Sequence, residues 1–426
     1  MWCNSGPSSA AGREVVTCPE RATRARRIAA WCMIALGLAI PISIAIDSIV
    51  LGILLLAALV SARDVIRAAW RDVTHVPPMA LALALYLWLL IRCAYSTAPP
   101  MEAFDALGKY LDLLLIPVLA WTVFDGNVRR RALVWYGIAI VLNLYVSYSA
   151  AAGLPGLRHA HYPIGFKASV THNLMVSLGG FLFLLWARET TDRRYRIALA
   201  VLAAVCVHNV LFIVIGRTGY VVLALLLTYF VLASLGGWRA PLVAGTLVLA
   251  LMAGAYVGSE SFRTRIDEIP SELRQWRPGA RDSTSVGQRI EFYRTTFEII
   301  EDHPLVGVGT GGFSRAFAEK IRGTPAMMTD NPHNDYLLLA AQAGIPAMLL
   351  LIGFYVVTWR YASHLESRLQ RDLLRGVVIT LGVGGLFNSL LFDHTEGLLL
   401  AWFVGLLCGR NQGAAEPART AIRDRA

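Results

Sequence analysis

Asn331-Pro332-His333-Asn334-Asp335 closes a polar segment of about seventy residues, and an apolar run begins directly behind it and lasts to Val357. An Asn-Pro pair followed by Asn334 or Asp335 as a cap is a common way to start a helix. His333 is thereby set at a helix entrance, beside the first free N–H groups and the positive end of the helix dipole. That field disfavours imidazolium, so the ring stays neutral near pH 7 and can accept a proton. The same end of a helix attracts anions such as phosphate. The plainer use of such a histidine is capping or local hydrogen bonding at an interface. Asn334 reads first as the cap and second as a contact to substrate.

Three arginines can supply an anion site at the same depth. Arg217 lies between two long apolar runs, flanked by Gly216 and Gly219. A charge so close to hydrocarbon costs about 2–3 kcal/mol unless it is paired or wet. Arg289 opens a helical pattern in Gly287-Gln288-Arg289-Ile290, and Arg265 lies in Arg263-Thr264-Arg265-Ile266-Asp267. Each has a plainer reading, as a snorkelling, solvated or salt-bridged side chain. Residues 259–332 carry eleven acidic and ten basic side chains, so any anion site must come from a few converging arginines. Asp393, His394 and Glu396 read as a solvated turn that could also line the cavity. His161 and His208 carry no argument beyond position.

The elements that must position these residues are apolar helices. Of the 426 residues 56% are hydrophobic and 16% charged, with a mean hydropathy of +0.53, far more apolar surface than one soluble core needs. The fold class is an all-α polytopic integral membrane protein. Twelve spans are expected, near 28–46, 49–62, 77–94, 110–124, 132–150, 169–187, 197–215, 219–236, 241–258, 335–357, 376–391 and 397–409. Asp47-Ser48 is read as the turn between the first two. An uncleaved first span is preferred to a signal peptide, because a second run follows at once. With the first tail inside, one set of loops carries 24 Lys and Arg and the opposite set 15, ten of the latter in the long segment. The positive-inside rule then makes 1–27 and 410–426 cytoplasmic tails and 259–332 a large loop on the outer face, with nine spans before it and three after. The formal charge of +10 follows this topology and does not form a nucleic-acid-binding face.

The outer segment is expected to fold. Ile290, Tyr293, Phe297 and Ile300 recur at helical spacing, which predicts an amphipathic helix over 287–302 ended by His303-Pro304. Gly307-Val308-Gly309-Thr310-Gly311-Gly312 reads as a tight loop, and Phe313, Phe317 and Ile321 mark a second short helix. The glycine run matches a dinucleotide fingerprint in form only, since a helix and not a strand precedes it. The six cysteines are scattered and none lies in this segment, so neither a disulfide framework nor a zinc site is encoded.

Gly216-Arg217-Thr218-Gly219, then Gly287-Gln288-Arg289, Glu301-Asp302-His303-Pro304-Leu305-Val306-Gly307-Val308-Gly309, and His333-Asn334 followed nine residues on by Gly344 together resemble the O-antigen ligase family. Ala347 stands where the family pattern has Gly, Thr or Tyr. The resemblance implies a bacterial inner-membrane enzyme whose site faces the periplasm. Its donor is a glycan on undecaprenyl diphosphate, its acceptor a sugar hydroxyl of the lipid A-core oligosaccharide, and its product belongs to lipopolysaccharide. In that chemistry His333 is the base, and Arg217, Arg289 and Arg265 bind the diphosphate. Lys109 and His172-Asn173 are further candidates for contact with the lipid-linked donor. No dense carboxylate cluster lies near His333, so the transfer is expected to be inverting, metal-independent and free of cofactors. Two alternatives stand beside it. An O-antigen polymerase would use the same donor, but such enzymes usually carry two sizeable outer loops with Arg-x10-Gly patterns. Here loop 151–168 is short, and no arginine in 259–332 has glycine eleven residues later. A flippase or transporter would place charge along a mid-membrane path, and no internal repeat stands out.

Overall fold

The computed structural model describes residues 23–154, 165–279 and 284–409, and every regular element within them is helical. Residues 1–22 of the expected first tail, the whole tail at 410–426, His161 and the middle of loop 151–168 lie outside the described residues. The chain begins with α1 (Arg24–Ile42), α2 (Ile44–Val60), α3 (Ala62–His75), α4 (Pro77–Cys93), the short α5 (Pro100–Gly108), α6 (Asp112–Thr122) and α7 (Gly126–Ala151). It continues through α8 (Ser169–Glu189), α9 (Arg193–His208) with a π-helical turn at Asn209–Ile213, α10 (Arg217–Leu235) and α11 (Arg239–Gly258). The polar segment holds α12 (Glu260–Gln275), α13 (Ser285–Asp302) and α14 (Phe313–Lys320). The last part is α15 (Asp335–Ala343), α16 (Ile345–Tyr361), α17 (Arg368–Gly384) and α18 (His394–Cys408).

Each expected apolar run overlaps at least one of these helices, the first extending past Ser43 into α2 and that at 376–391 past the end of α17. Among the described residues seven helices are long and apolar enough to cross a membrane, eight if α2 and α3, bent by 98° at Ser61, count together, and α4 and α18 are shorter apolar helices. Leu242, Leu249 and Val257 on α11 are exposed, an apolar exterior suited to lipid. The interior is organised on α18, buried from Thr395 to Cys408. Its last carbonyls have no partner within the helix. Buried Arg129 supplies one, donating from Nε to the Leu406 carbonyl at 2.9 Å and from Nη2 to that of Gly409 at 2.8 Å.

Three details depart from the sequence reading. The first helix ends at Ser43, after Pro41, and the Ser43 hydroxyl caps α2. Asp47 is therefore no turn residue; it is buried inside α2, where His394 Nε2 lies 3.0 Å and Lys167 Nζ 3.9 Å from its carboxylate. α12 was not anticipated, although Ser259 before Glu260 is a serviceable N-cap. The amphipathic helix extends over Ser285–Asp302, close to expectation, but its buried face is Phe292, Thr295, Thr296, Ile299 and Ile300, while Phe297 is exposed. Phe292, Ile299 and Ile300 of that face share one apolar cluster with Phe313 and Phe317 of α14 and Leu337 and Leu338 of α15, and the Thr296 hydroxyl is satisfied by the Phe292 carbonyl.

The glycines of the polar segment position one strap. A break at Gly344 (φ +81°) leaves the Ala341 carbonyl free of the helix ladder, and it accepts from Val308 N at 2.9 Å. Across the break, Ile345 N donates to the Pro304 carbonyl at 2.8 Å. The strap then docks on the end of α4. Thr97 N donates to the Val308 carbonyl, the Ser96 hydroxyl to that of Thr310, and the Thr310 hydroxyl to that of Leu89. Its backbone is thus engaged on both sides by protein, consistent with rejecting nucleotide binding here. A Cβ on Gly344 would come 2.3 Å from the Leu305 carbonyl oxygen, whereas one on Gly236 (φ +63°) meets nothing within 4 Å. Gly344→Ala should therefore lower thermal stability in detergent by well more than the ~1–2 kcal/mol of left-handed strain, and Gly236→Ala by no more than that strain. Equal effects would show that the strap contact is not what requires glycine.

Candidate functional site

His333 is the one non-glycine residue with positive φ (55°) among the described residues. Left-handed backbone costs a residue of this type about 1 kcal/mol or more and persists only where its surroundings impose it. The Asn331 side chain accepts from His333 N at 2.9 Å, turning the chain back on itself. Asn334 next to it is the cap, its Oδ1 accepting from Leu337 N at 3.0 Å. The same segment docks on the irregular stretch between α17 and α18. Asn334 Nδ2 donates to the Leu386 carbonyl, Asn334 N to the Ser389 hydroxyl, Asp335 N to the Gly385 carbonyl, and Leu391 N to Asp335 Oδ1. Buried Asn334 thus engages protein at both ends of its amide, which makes it a positioning residue for His333.

The His333 ring is half-buried and packs beside Phe292, ring centroids 6.0 Å apart. Its pKa lies below the usual histidine value, chiefly through burial and then through the Arg289 charge, with Asp330 and Asp393 opposing. The direction agrees with the sequence expectation, but burial and Arg289 supply it. Tyr293, one helical turn on from Arg289, donates its hydroxyl to the Leu386 carbonyl at 2.9 Å and so ties α13 to the stretch that holds Asn334.

Arg217, Arg265 and Arg289 line one cavity of about 240 Å³, together with Ser169, Val170, Val214, Ile215, Gly216, Thr218 and Ser285. Three helices begin at this cavity, α8 at Ser169, α10 at Arg217 and α13 at Ser285, and neither α8 nor α10 has a side-chain cap. Uncapped N–H groups and guanidinium forks are groups of the kind that suit an anion. The arginines are held differently. Arg217 donates from Nε to the Arg265 carbonyl at 3.1 Å and sits 3.3 Å from Glu272 and 3.7 Å from Glu268. Arg265 pairs with Glu268 at 3.3 Å. Glu272 also accepts from Val286 N at 3.2 Å, joining the start of α13 to α12. Arg289, by contrast, has no hydrogen bond or ion pair within the described residues. The Glu268/Glu272 pair at i, i+4 on α12 was overlooked in the sequence, although its spacing puts both carboxylates on one face.

The remaining candidates separate. His172 and Asn173 are buried in α8 and line neither this cavity nor a second one described below. His172 Nε2 meets Asn209 Oδ1 at 2.9 Å, and Asn173 Nδ2 donates to the Val214 carbonyl at 3.1 Å, so the pair holds the π-helical turn that leads into Arg217. His208 stacks on Phe212 and bonds Tyr148. Asp393 is exposed, but Glu396 is no part of a solvated turn: it is buried and bonded by the Thr171 hydroxyl, and His394 joins Asp47. Lys109 lines the second cavity, its ammonium 3.7 Å from the Phe392 ring centroid. Among the described residues no group of three or more His, Cys, Asp or Glu is placed to hold a metal ion.

Residues 202–352 match a protein-family model described as O-antigen ligase. The match spans Arg217, Arg265, Arg289, His333 and Asn334 and bears out the resemblance carried by those motifs. No curated protein matches the chain.

The charges around His333 predict how its titration moves. Asp393 favours the imidazolium, so Asp393→Asn should lower the His333 pKa further, while Arg289→Gln should raise it. Histidine-selective NMR of the detergent-solubilised protein reads both. Shifts with the opposite signs would show that these charges do not govern the ring.

Proposed function

We propose, from the match of residues 202–352 to the O-antigen ligase family model, that the protein transfers a whole glycan from undecaprenyl diphosphate to a sugar hydroxyl of lipid A-core oligosaccharide, at the periplasmic face of the bacterial inner membrane. The observation that carries this reading is the convergence of Arg217, Arg265 and Arg289 on one cavity at three helix starts, with Arg289 unpaired among the described residues and its charge acting on His333. A diphosphate leaving group is the anion that such forks suit.

The step is an in-line displacement. The acceptor oxygen bonds to the anomeric carbon as the bond from that carbon to the diphosphate oxygen breaks, so the configuration inverts. The acceptor proton passes to a ring nitrogen of His333, and undecaprenyl diphosphate departs with the bonding electron pair. Positive groups already in place stabilise the charge that builds on the departing oxygens, without rearrangement at the moment of reaction. His333 is neutral at working pH because burial and Arg289 disfavour its cation, which leaves it free to accept a proton. The proton balance needs neither metal nor cofactor.

The spacing argument against a polymerase and the clustering of charge at one face against a transporter both favour ligase chemistry. Purified protein offered the lipid-linked donor should place glycan on lipid A-core and leave the carrier-linked glycan at its original length. Longer glycan on the carrier would mean polymerase, and no product with either acceptor would reopen transport. His333→Ala should slow turnover by roughly 10²–10⁴-fold, the usual share of a general base, and a chelator should leave the wild-type rate unchanged. Because a neutral His333 is required, the acid limb of kcat/KM should lie below the ordinary histidine pKa of about 6.5. A limb above that value would contradict the assigned environment.

A further inference from the structure

A second cavity, of about 220 Å³, shares no lining residue with the arginine cavity. One wall is a single face of the α5 region, Glu102, Asp105, Ala106 and Lys109 at helical spacing. The opposite side is built by Phe313 and Ser314 at the start of α14, Asp330 three residues before His333, and Phe392 next to Asp393. Gly311 of the glycine strap belongs to the lining, held by Gln342 Oε1, which accepts from Gly311 N at 2.7 Å. His333 is tied to both cavities. Arg289 of the first and Asp330 of the second act on its charge, and Phe292 beside its ring packs on Phe317, which packs on Phe313 of the second cavity.

The two cavities are opposite in charge. The first is lined by three guanidinium groups and no acid; the second by three carboxylates and one ammonium. Glu102 and Asp105 have no hydrogen bond or ion pair within the described residues, so their oxygens are available as acceptors. Carboxylates that accept from hydroxyl groups, a serine hydroxyl and aromatic rings against which sugar C–H faces can lie are suitable groups for a carbohydrate. Their net negative charge repels phosphate. His333 lines neither cavity but is coupled to charges of both; a transferase needs a place for each reactant, and a diphosphate suits the first.

We propose that this second cavity is the acceptor subsite, and that it takes the terminal sugar of the acceptor as a neutral or amine-bearing hexose without phosphate, aligned by Glu102 and Asp105 so that its hydroxyl meets His333. The assignment rests on the transfer reaction proposed above. It also gives the glycine strap a role beyond a turn, since the strap floors the subsite and sets it against α4.

The test measures initial rates with purified full-length protein while donor and acceptor are varied separately, using Glu102→Gln, Asp105→Asn and the double variant. The acceptor is lipid A-core or a second carrier-linked glycan, whichever the wild type uses, since either presents the same sugar chemistry. The subsite predicts a KM for acceptor raised roughly tenfold or more, as expected for loss of a charged hydrogen bond, with KM for donor unchanged. It also predicts that Glu102→Lys narrows the wild-type preference for an unphosphorylated acceptor over its phosphorylated counterpart. These side chains are exposed, and a monodisperse elution profile with the wild-type melting temperature confirms folding. A raised KM for donor alone, or acceptor KM and preference unchanged in every variant, overturns the subsite. If His333→Ala remains active, the transfer mechanism itself fails; if it is inactive while these variants match the wild type, only the subsite does.

Discussion

The structure depends on one docking contact, that of His333-Asn334-Asp335 against the irregular stretch Gly385–Leu391. Asn334 caps α15 with its oxygen and holds the Leu386 carbonyl with its nitrogen, while Asp335 receives Leu391 N and donates its own N–H to Gly385. Asn334, Asp335, Gly385, Ser389 and Leu391 are buried here, and leaving a buried group unmatched costs about 1–3 kcal/mol. Those bonds over-determine the local chain and so hold His333 in a left-handed conformation that it would not otherwise adopt. Tyr293 joins the same contact from α13, which brings the helix carrying Arg289 to the histidine. The irregular stretch between α17 and α18 is therefore the seat of the site, because non-helical backbone offers free carbonyls and N–H groups to dock on.

Electrostatics follow from that seat. Arg217 and Arg265 are restrained by Glu268 and Glu272 on α12, so their positions are set before any ligand arrives. Arg289 is without such a partner and faces the cavity partly desolvated. A bare cation in a partly buried place is costly for folding, and the structure tolerates it where an anion would remove the cost on binding. After burial, the same charge disfavours protonation of His333, so in the proposed reaction one residue would both prepare the base and receive the anion. The division of labour among the three arginines is thus a matter of their partners rather than of their residue type.

Much of this was legible in the sequence, for reasons that can be named. Hydrophobic period and length located the apolar helices, and the Asn-Pro-His-Asn order located the helix start and its cap. Convergence of Arg217, Arg265 and Arg289 was not legible, since it depends on where α8, α10 and α13 begin in space. Asp47, His394 and Glu396 were read as turn residues, because a polar residue between apolar runs looks like a loop until its partner, here Lys167 just before α8 or Thr171 within it, is known. The buried face of α13 departs from expectation at Phe297, which is exposed while Thr295 and Thr296 are buried, because an apolar period does not mark hydroxyl residues as buried. Gly344 and Gly307 look in the sequence like ordinary helix ends and turns; only the strap packed on the helix break shows why no side chain fits at either position.

The most direct test of the account is a cryo-EM structure of the protein with bound undecaprenyl diphosphate. The account predicts diphosphate density in the Arg217, Arg265 and Arg289 cavity, bonded to the Arg289 guanidinium and the first N–H groups of α10, with the His333 ring facing the site of the departed anomeric carbon. Diphosphate bound elsewhere, with Arg289 still unengaged, would contradict it.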